Sequence, residues 1–401
     1  FAPSLFKMEI LSKPEFIIFA CMLAGVALIH KHPMTVSLVG LAALVIYKLA
    51  FTDFDIISHT EHEWEVLVNL FGLLIGFTIL AQHFEDSEVP HFLPNYLPDD
   101  WKGGFMLLVI VFILSSFLDN IAAAMIGATI SISVFKRKVH IGYLAAIVAA
   151  SNAGGAGSVV GDTTTTMMWI SGVEASDIVY AYVGSAVSFC FFAVIASRQQ
   201  HQFNPIVKEV HDDIQIDWGR LLLVSAILVL TIITNILYDF PAIGVWVAIL
   251  IGSFFKKTNW KAALKSIPGS IFLSALVLSA SMMPVEHLPD ASWASCFGLG
   301  FISAVFDNIP LTKLALTQGG YDWSFLAYAV GFGGSMIWFG SSAGVALSNI
   351  YPEAKSVGSW IKNGWHVILA YIIGFMVMLA IVKWDPIALT KKQSSATDQK
   401  H

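Results

Sequence analysis

Two acid–amide pairs stand in the middle of long apolar runs. Asp119-Asn120 interrupts residues 103–135, and Asp307-Asn308 interrupts residues 291–318. Two other apolar runs, 141–173 and 325–350, are broken by 151-SNAGGAGSVVGDTTTT-166 and 331-GFGGSMIWFGSSAG-344. A charge at the centre of a bilayer costs at least about 2.5–3.5 kcal/mol, so a carboxylate kept there points to function. Hydroxyl, amide and carboxylate oxygens are the ligands that hard cations take. The candidates are Asp119, Asn120, Asn152, Ser158, Asp162, Thr163 and Thr164 in the first half, and Asp307, Asn308, Ser335, Ser341 and Ser342 in the second. Gly154, Gly155 and Gly161, with Gly333, Gly334 and Gly340, would let backbone approach a ligand. Plainer roles exist for the same residues. Asp119, Asp162 and Asp307 are good helix caps, and a stripe of serines and threonines suits a helix interface. Cap and ion site are compatible, because the end of a broken helix is itself an ion site. Lys313, six residues past Asp307, either ion-pairs with Asp307 or snorkels to the surface.

These residues need a scaffold, and composition says which kind. Of 401 residues 56% are hydrophobic and only 12% are charged, where a soluble domain carries about 25%. That predicts a polytopic, all-α membrane protein. Disorder is excluded by the low charge, and a nucleic-acid partner by the net charge of −6. Apolar runs of helical length argue against an outer-membrane barrel. Cys21, Cys190 and Cys296 all fall in apolar stretches and read as free, buried thiols. The chain opens on Phe1, and the apolar stretch 16–29 lacks the cleavage site of a secretory leader. There is no GxxxxGK[ST] loop for ATP and no nucleophile–base pair at membrane depth, so no enzyme activity is expected.

Continuous spans are expected at 15–30, 34–50, 64–82, 178–197, 219–237, 242–255, 268–285 and 365–383. The four interrupted runs form two matched pairs. FLDNIA (117–122) matches VFDNIP (305–310), with Ser115 and Ser303 each four residues before the acid. Gly154-Gly155 is followed by Gly161-Asp162-Thr163 with the spacing that separates Gly333-Gly334 from Gly340-Ser341-Ser342. The chain therefore reads as an N-terminal segment 1–14, a first repeat 15–197, a linker 198–218, a second repeat 219–383 and a polar tail 384–401. Each repeat has five spans, one of them a broken helix (141–173; 325–350), and one re-entrant hairpin (103–135; 291–318). Five crossings is an odd number, so the repeats are inverted, a pointer to a secondary transporter.

Charge sets the orientation. Lys31, Lys102, Lys136, Arg137, Lys138, Arg198, Lys208, Arg220, Lys256, Lys257, Lys261, Lys265, Lys355 and Lys362 gather on one face. The opposite loops, 51–63, 174–177, 238–241, 286–290 and 319–324, carry no Lys or Arg. The first face is then cytoplasmic and both termini are outside, with a bacterial inner membrane as the default. Trp64, Trp101, Trp169, Trp260, Trp293 and Trp365 read as interfacial anchors. His59, Glu61, His62 and Glu63 are either a wet loop or a pH-sensing cluster. Glu85 and Asp86 close a span at the cytoplasmic end.

The run SNAGGAGSVVGDTTTTMMW (151–169), DNIP (307–310), GSSAGVAL (340–347) and the stretch 61–86 resemble the signature of NhaD-type sodium/proton antiporters. These lie in the wider ion-transporter superfamily with sodium/dicarboxylate transporters and arsenite permeases. The resemblance covers most of residues 55–375. It implies an elevator-like transporter, often dimeric, whose moving unit is built from the hairpins and broken helices. Acid-bearing tips, where dicarboxylate relatives carry hydroxyl residues, would repel an anion and attract a cation. Two departures stand out: Val159-Val160 where the family pattern has a Pro, and Lys313. On this reading Na⁺ or Li⁺ binds at Asp119, Asn120, Asp162 and Thr163, Asp119 and Asp162 exchange it for protons, and no cofactor is needed. The alternatives are an anion transporter of the dicarboxylate or arsenite type and, from another class, a membrane enzyme or scaffold subunit.

Overall fold

A computed structural model describes residues 13–28, 32–207 and 215–387. Most of the expected N-terminal segment and polar tail, with Lys31 and Lys208, lie outside the described residues. All regular structure among the described residues is helical. The principal helices are α1 (Pro14–Leu28), α2 (Pro33–Phe51), α3 (Ile56–Glu85), α4 (Trp101–Ser115), α5 (Asn120–Val134), α6 (Ile141–Gly155), α7 (Thr163–Ile170) and α8 (Ala181–Phe203). The second half supplies α9 (Trp218–Tyr238), α10 (Pro241–Gly252), α11 (Trp260–Ser281), α12 (Trp293–Ser303), α13 (Asn308–Gln318), α14 (Trp323–Gly333), α15 (Ser342–Ile350) and α16 (Trp365–Ile381).

Every expected interruption is a helix break, and a side chain caps the helix that follows it. Asp119 caps α5, Asp162 caps α7, Asp307 caps α13 and Ser341 caps α15. Such a cap satisfies an otherwise unpaired N–H and stabilises the helix by about 1 kcal/mol. Helices α2, α3, α9 and α11 are long and apolar enough to cross a bilayer, as is α8 with its lead-in from Ala175. Val357–Asn363 and α16, bent by 61° to each other, are together long and apolar enough for a sixth if the pair forms one span. The molecule is a multi-pass membrane protein.

Three expectations change, the last of them at Trp169 below. The span expected at 242–255 is a helix of 12 residues, short of the roughly 20 that cross a bilayer. Asp239 in the left-handed region (φ 52°) and Pro241 at the first turn set its start, and it packs on α9. The thiols also differ: Cys296 is buried, but Cys21 and Cys190 are exposed. In a bilayer the outer surface is as apolar as the core, so hydropathy does not separate them.

The helices associate in two groups. α1, α2, α3, α9, α10 and α11 pack chiefly on one another. α4 to α8 and α12 to α16 form the larger group, and the border between the groups is made by α11 on α13 and α3 on α7 and α5. Among the most enclosed helices are α6, buried from Gly142 to Gly155, and α7 and α14, each buried along its whole length. α6 is rich in Ala and Gly, which lets neighbouring backbones close in where packing rather than water drives association. Aromatic stacking binds the second half: the Tyr371 ring lies parallel to Tyr328 at 5.7 Å and to Phe297 at 5.4 Å between centroids. Trp169, expected as an interfacial anchor, is buried, whereas Trp64, Trp260, Trp293 and Trp365 are exposed.

Candidate functional site

The helix breaks meet at the centre of the larger group. Asp119 Oδ2 accepts the Ile121 N–H at 3.2 Å, and its Oδ1 accepts from the Thr163 hydroxyl at 3.4 Å. In the second half Asp307 Oδ1 accepts the Ile309 N–H at 3.0 Å, and its Oδ2 accepts from the Ser342 hydroxyl at 3.4 Å. Thr163 and Ser342 are each the first residue of the helix after a glycine-rich break. Each turn acid thus meets the start of the broken helix of its own half.

Backbone contacts follow the same correspondence. A Cβ on Gly154 would stand 2.0 Å from the Phe112 carbonyl oxygen, and one on Gly333 2.3 Å from that of Gly300. A Cβ on Gly161 would meet the Ser115 oxygen at 2.1 Å, and one on Gly340 the Ala304 oxygen at 2.6 Å. Gly155 lies against the Gly161 carbonyl and Gly334 against the Gly340 carbonyl. Only glycine allows these approaches. The Ser115 hydroxyl donates to the Ser151 carbonyl and the Ser303 hydroxyl to the Val330 carbonyl, which ties each turn to the helix ahead of its break. Ser158 donates to the Ser116 carbonyl at 2.7 Å, so its hydroxyl proton fastens the first break.

The two halves are stitched by amides. Asn120 Nδ2 donates to Asn152 Oδ1 at 3.0 Å, and Asn152 Nδ2 donates to the hydroxyls of Ser335 at 2.9 Å and Ser341 at 3.1 Å. Asn308 is buried at the start of α13. Asp162, 2% exposed, uses Oδ1 to accept the Thr164 N–H at 3.1 Å. Its Oδ2 and the Thr164 hydroxyl are both buried, and neither has a hydrogen bond outside this turn. A Cβ placed on Gly331 of α14 would stand 3.2 Å from Asp162 Oδ2 and 3.9 Å from Thr164 Oγ1. Asp119 and Asp307 both act electrostatically on Asp162. A buried carboxylate with no partner beyond its own turn is poorly compensated for its lost hydration, so its retention calls for an explanation in function. Carboxylate, hydroxyl and amide oxygens in this arrangement can hold a small hard cation or, on a carboxylate, a proton.

Lys313 requires a correction. Its Nζ lies 2.6 Å from Glu63 Oε2, and both side chains are buried; it does not pair with Asp307. Six residues along a helix leaves two side chains a third of a turn out of register, about 120° apart, whereas side chains that meet on one helix are three or four apart. Glu63 is the partner of Lys313 that sequence reasoning misses. In sequence it reads with His59, Glu61 and His62 as loop or sensor, but α3 begins at Ile56 and carries all four. Its one sequence signal is its place in the 61–86 stretch. Asp86 closes α3 and pairs with Arg220 at 3.0 Å, while Glu85 remains exposed.

The sequence pattern of the citrate transporter family matches residues 16–333. The chain is also similar to sodium/proton antiporter 1 of Arabidopsis thaliana, with 28% identity over 73% of this chain and 58% of that protein, so it spans less than two thirds of that relative. The Na(+)/H(+) antiporter NhaD of Vibrio parahaemolyticus is 25% identical over 70% of this chain and 80% of its own length. That of Vibrio cholerae is 26% identical over 70% of both. The family match takes in both turn acids, Asp162 and Lys313, and runs to the end of α14, so the chain belongs to the citrate transporter family.

Proposed function

We propose that this protein is a secondary transporter that exchanges Na⁺ or Li⁺ for protons across a membrane. The observation that carries the reading is the buried pair Asp162 Oδ2 and Thr164 Oγ1, which have no hydrogen bond outside their own turn and lie within the field of Asp119 and Asp307. The cation takes oxygens from Asp119, Asn120, Asp162 and Thr163; Thr164 Oγ1 adjoins them. A proton on Asp119 or Asp162 removes the charge that holds the cation, so the site is loaded by one or the other and exchange is obligatory. Activity then rises with pH until the carboxylates stay ionised throughout the cycle.

The matched breaks and glycine contacts support two inverted repeats. The two helix groups support an elevator-like division, with α1–α3 and α9–α11 as scaffold and the rest as the moving unit. The resemblance supports a homodimer, and the Lys/Arg-rich face supports a bacterial inner membrane with both termini outside. The family's citrate description favours a second reading, a cation-coupled anion carrier. Three carboxylates around the site weigh against it, as does the commitment of Lys313, the base on which an anion would rely, to Glu63.

The test is proteoliposomes with an imposed pH gradient and a fluorescent pH reporter. Na⁺ or Li⁺ should release protons in the parent chain and not in Asp162→Asn. Normal exchange by that variant overturns the site, and citrate-dependent Na⁺ uptake without proton release overturns the reaction.

A further inference from the structure

A cleft of about 800 Å³ runs between one face each of α3, α5 and α11. Asp119 forms its floor, and the cleft follows α5 from there to Ser133, about 20 Å at 1.5 Å per residue. Its far end lies where α3 finishes, α5 finishes and α11 begins, marked by Glu85, Ser133 and Lys265. That end is on the Lys/Arg-rich side: Arg220 pairs with Asp86, next to Glu85, and Lys256 pairs with Asp217 at 2.7 Å. Most of the lining is apolar, but Thr78, Thr129 and Ser133 place hydroxyls along it. The occupant must solvate Asp119, whose Oδ1 has only a long 3.4 Å contact with Thr163. A lipid tail offers no hydrogen bond to a carboxylate and would leave its desolvation uncompensated; water does not.

We propose that this cleft is the aqueous route by which a hydrated monovalent cation and protons reach Asp119 from the Lys/Arg-rich face, with Glu85 as the recruiting carboxylate at its mouth. A carboxylate at the entrance of a low-dielectric cleft raises the local cation concentration. What travels rests on the function proposed above; the route itself does not.

Gly269 of α11 supplies a plug. It lines the cleft, and a Cβ there meets nothing within 4 Å, so Gly269→Trp starts its side chain in open space and puts an indole into the cleft. In a chain with Cys21, Cys190 and Cys296 replaced, single cysteines at Ala122, beside Asp119, and at Ser133 are treated with a cationic, membrane-impermeant methanethiosulfonate, from each side in turn. Both should react from the Lys/Arg-rich side, and Gly269→Trp should slow the deep site by at least about tenfold, a barrier of about 1.4 kcal/mol, and spare the shallow one. A deep site reached only by an uncharged maleimide would mean a lipid-filled groove, and one indifferent to the plug would mean another path; either overturns the proposal. Glu85→Gln should raise the apparent KM for Na⁺ a few-fold at low ionic strength, leave kcat alone and lose its effect in high salt. The expected labelling pattern without cation-driven proton movement would overturn the proposed function and leave the route standing.

Discussion

Lys313 Nζ lies 2.6 Å from Glu63 Oε2, with the two side chains 8% and 9% exposed, and the pair joins α3 of the peripheral helix group to α13 of the central one. Removing one partner strands a buried charge and costs about 3–5 kcal/mol, while replacing both with apolar residues of similar size is often neutral. Glu63→Met and Lys313→Met should each lower the thermal unfolding temperature in detergent, and the double variant should recover most of the loss. The pair is separate from the turn acids, so the double variant should also keep the parent's apparent KM for Na⁺. A changed KM would mean that Lys313 does serve the Asp307 site.

Asp119, Asp162 and Asp307 cap helices, the proposed function gives them a second role as charges, and one substitution separates the two. Asn caps a helix about as well as Asp, so Asp119→Asn, Asp162→Asn and Asp307→Asn should keep their helix starts and unfold within about 1 kcal/mol of the parent. Only the charge is lost. Cation-driven proton release should fall to background for Asp119→Asn and Asp162→Asn. Asp→Ala at the same positions removes the cap as well and should add about 1 kcal/mol of destabilisation, measured by chemical denaturation of the purified variants.

Much of this site is readable in the sequence because each break couples a cap to a disruption of hydropathy. A carboxylate in a long apolar run has few structural uses, and the glycine spacing repeats between the halves. The expected breaks at Asp119, Asp162, Asp307 and Ser341 are the observed helix starts. What stays hidden depends on partners far along the chain. Glu63 is 250 residues from Lys313, and an acid beside a Trp at the head of an apolar stretch looks like loop until α3 is seen to begin at Ile56. The exposed Cys21 and Cys190 escape for a different reason: lipid tolerates the same residue types as a core.

The glycines separate into those that need to be glycine and those that do not. Gly154→Ala and Gly161→Ala would drive a methyl to 2.0 and 2.1 Å from backbone oxygens, where no side chain can yield. Both should fail to give a stably folded protein or lose several kcal/mol, as overpacking against backbone does. Gly298, inside α12, has open space within 4 Å of where a methyl group would stand, so Gly298→Ala should be neutral or stabilise by up to about 1 kcal/mol through helix propensity. Expression-normalised melting curves of the three variants test the contrast.

Asn152 is the hinge of the polar network, because its carboxamide accepts from Asn120 and donates to Ser335 and Ser341 of the other half. Asn152→Leu keeps the approximate volume but strands the Asn120 amide, at about 1–3 kcal/mol for a buried unsatisfied donor. Ser335→Ala should cost less, since Ser341 still accepts from Asn152. If the network also holds the two broken helices in register for the cation, Asn152→Leu should raise the KM for Na⁺ in proteoliposomes more than Ser335→Ala does. A variant that loses stability but keeps its KM would confine Asn152 to architecture.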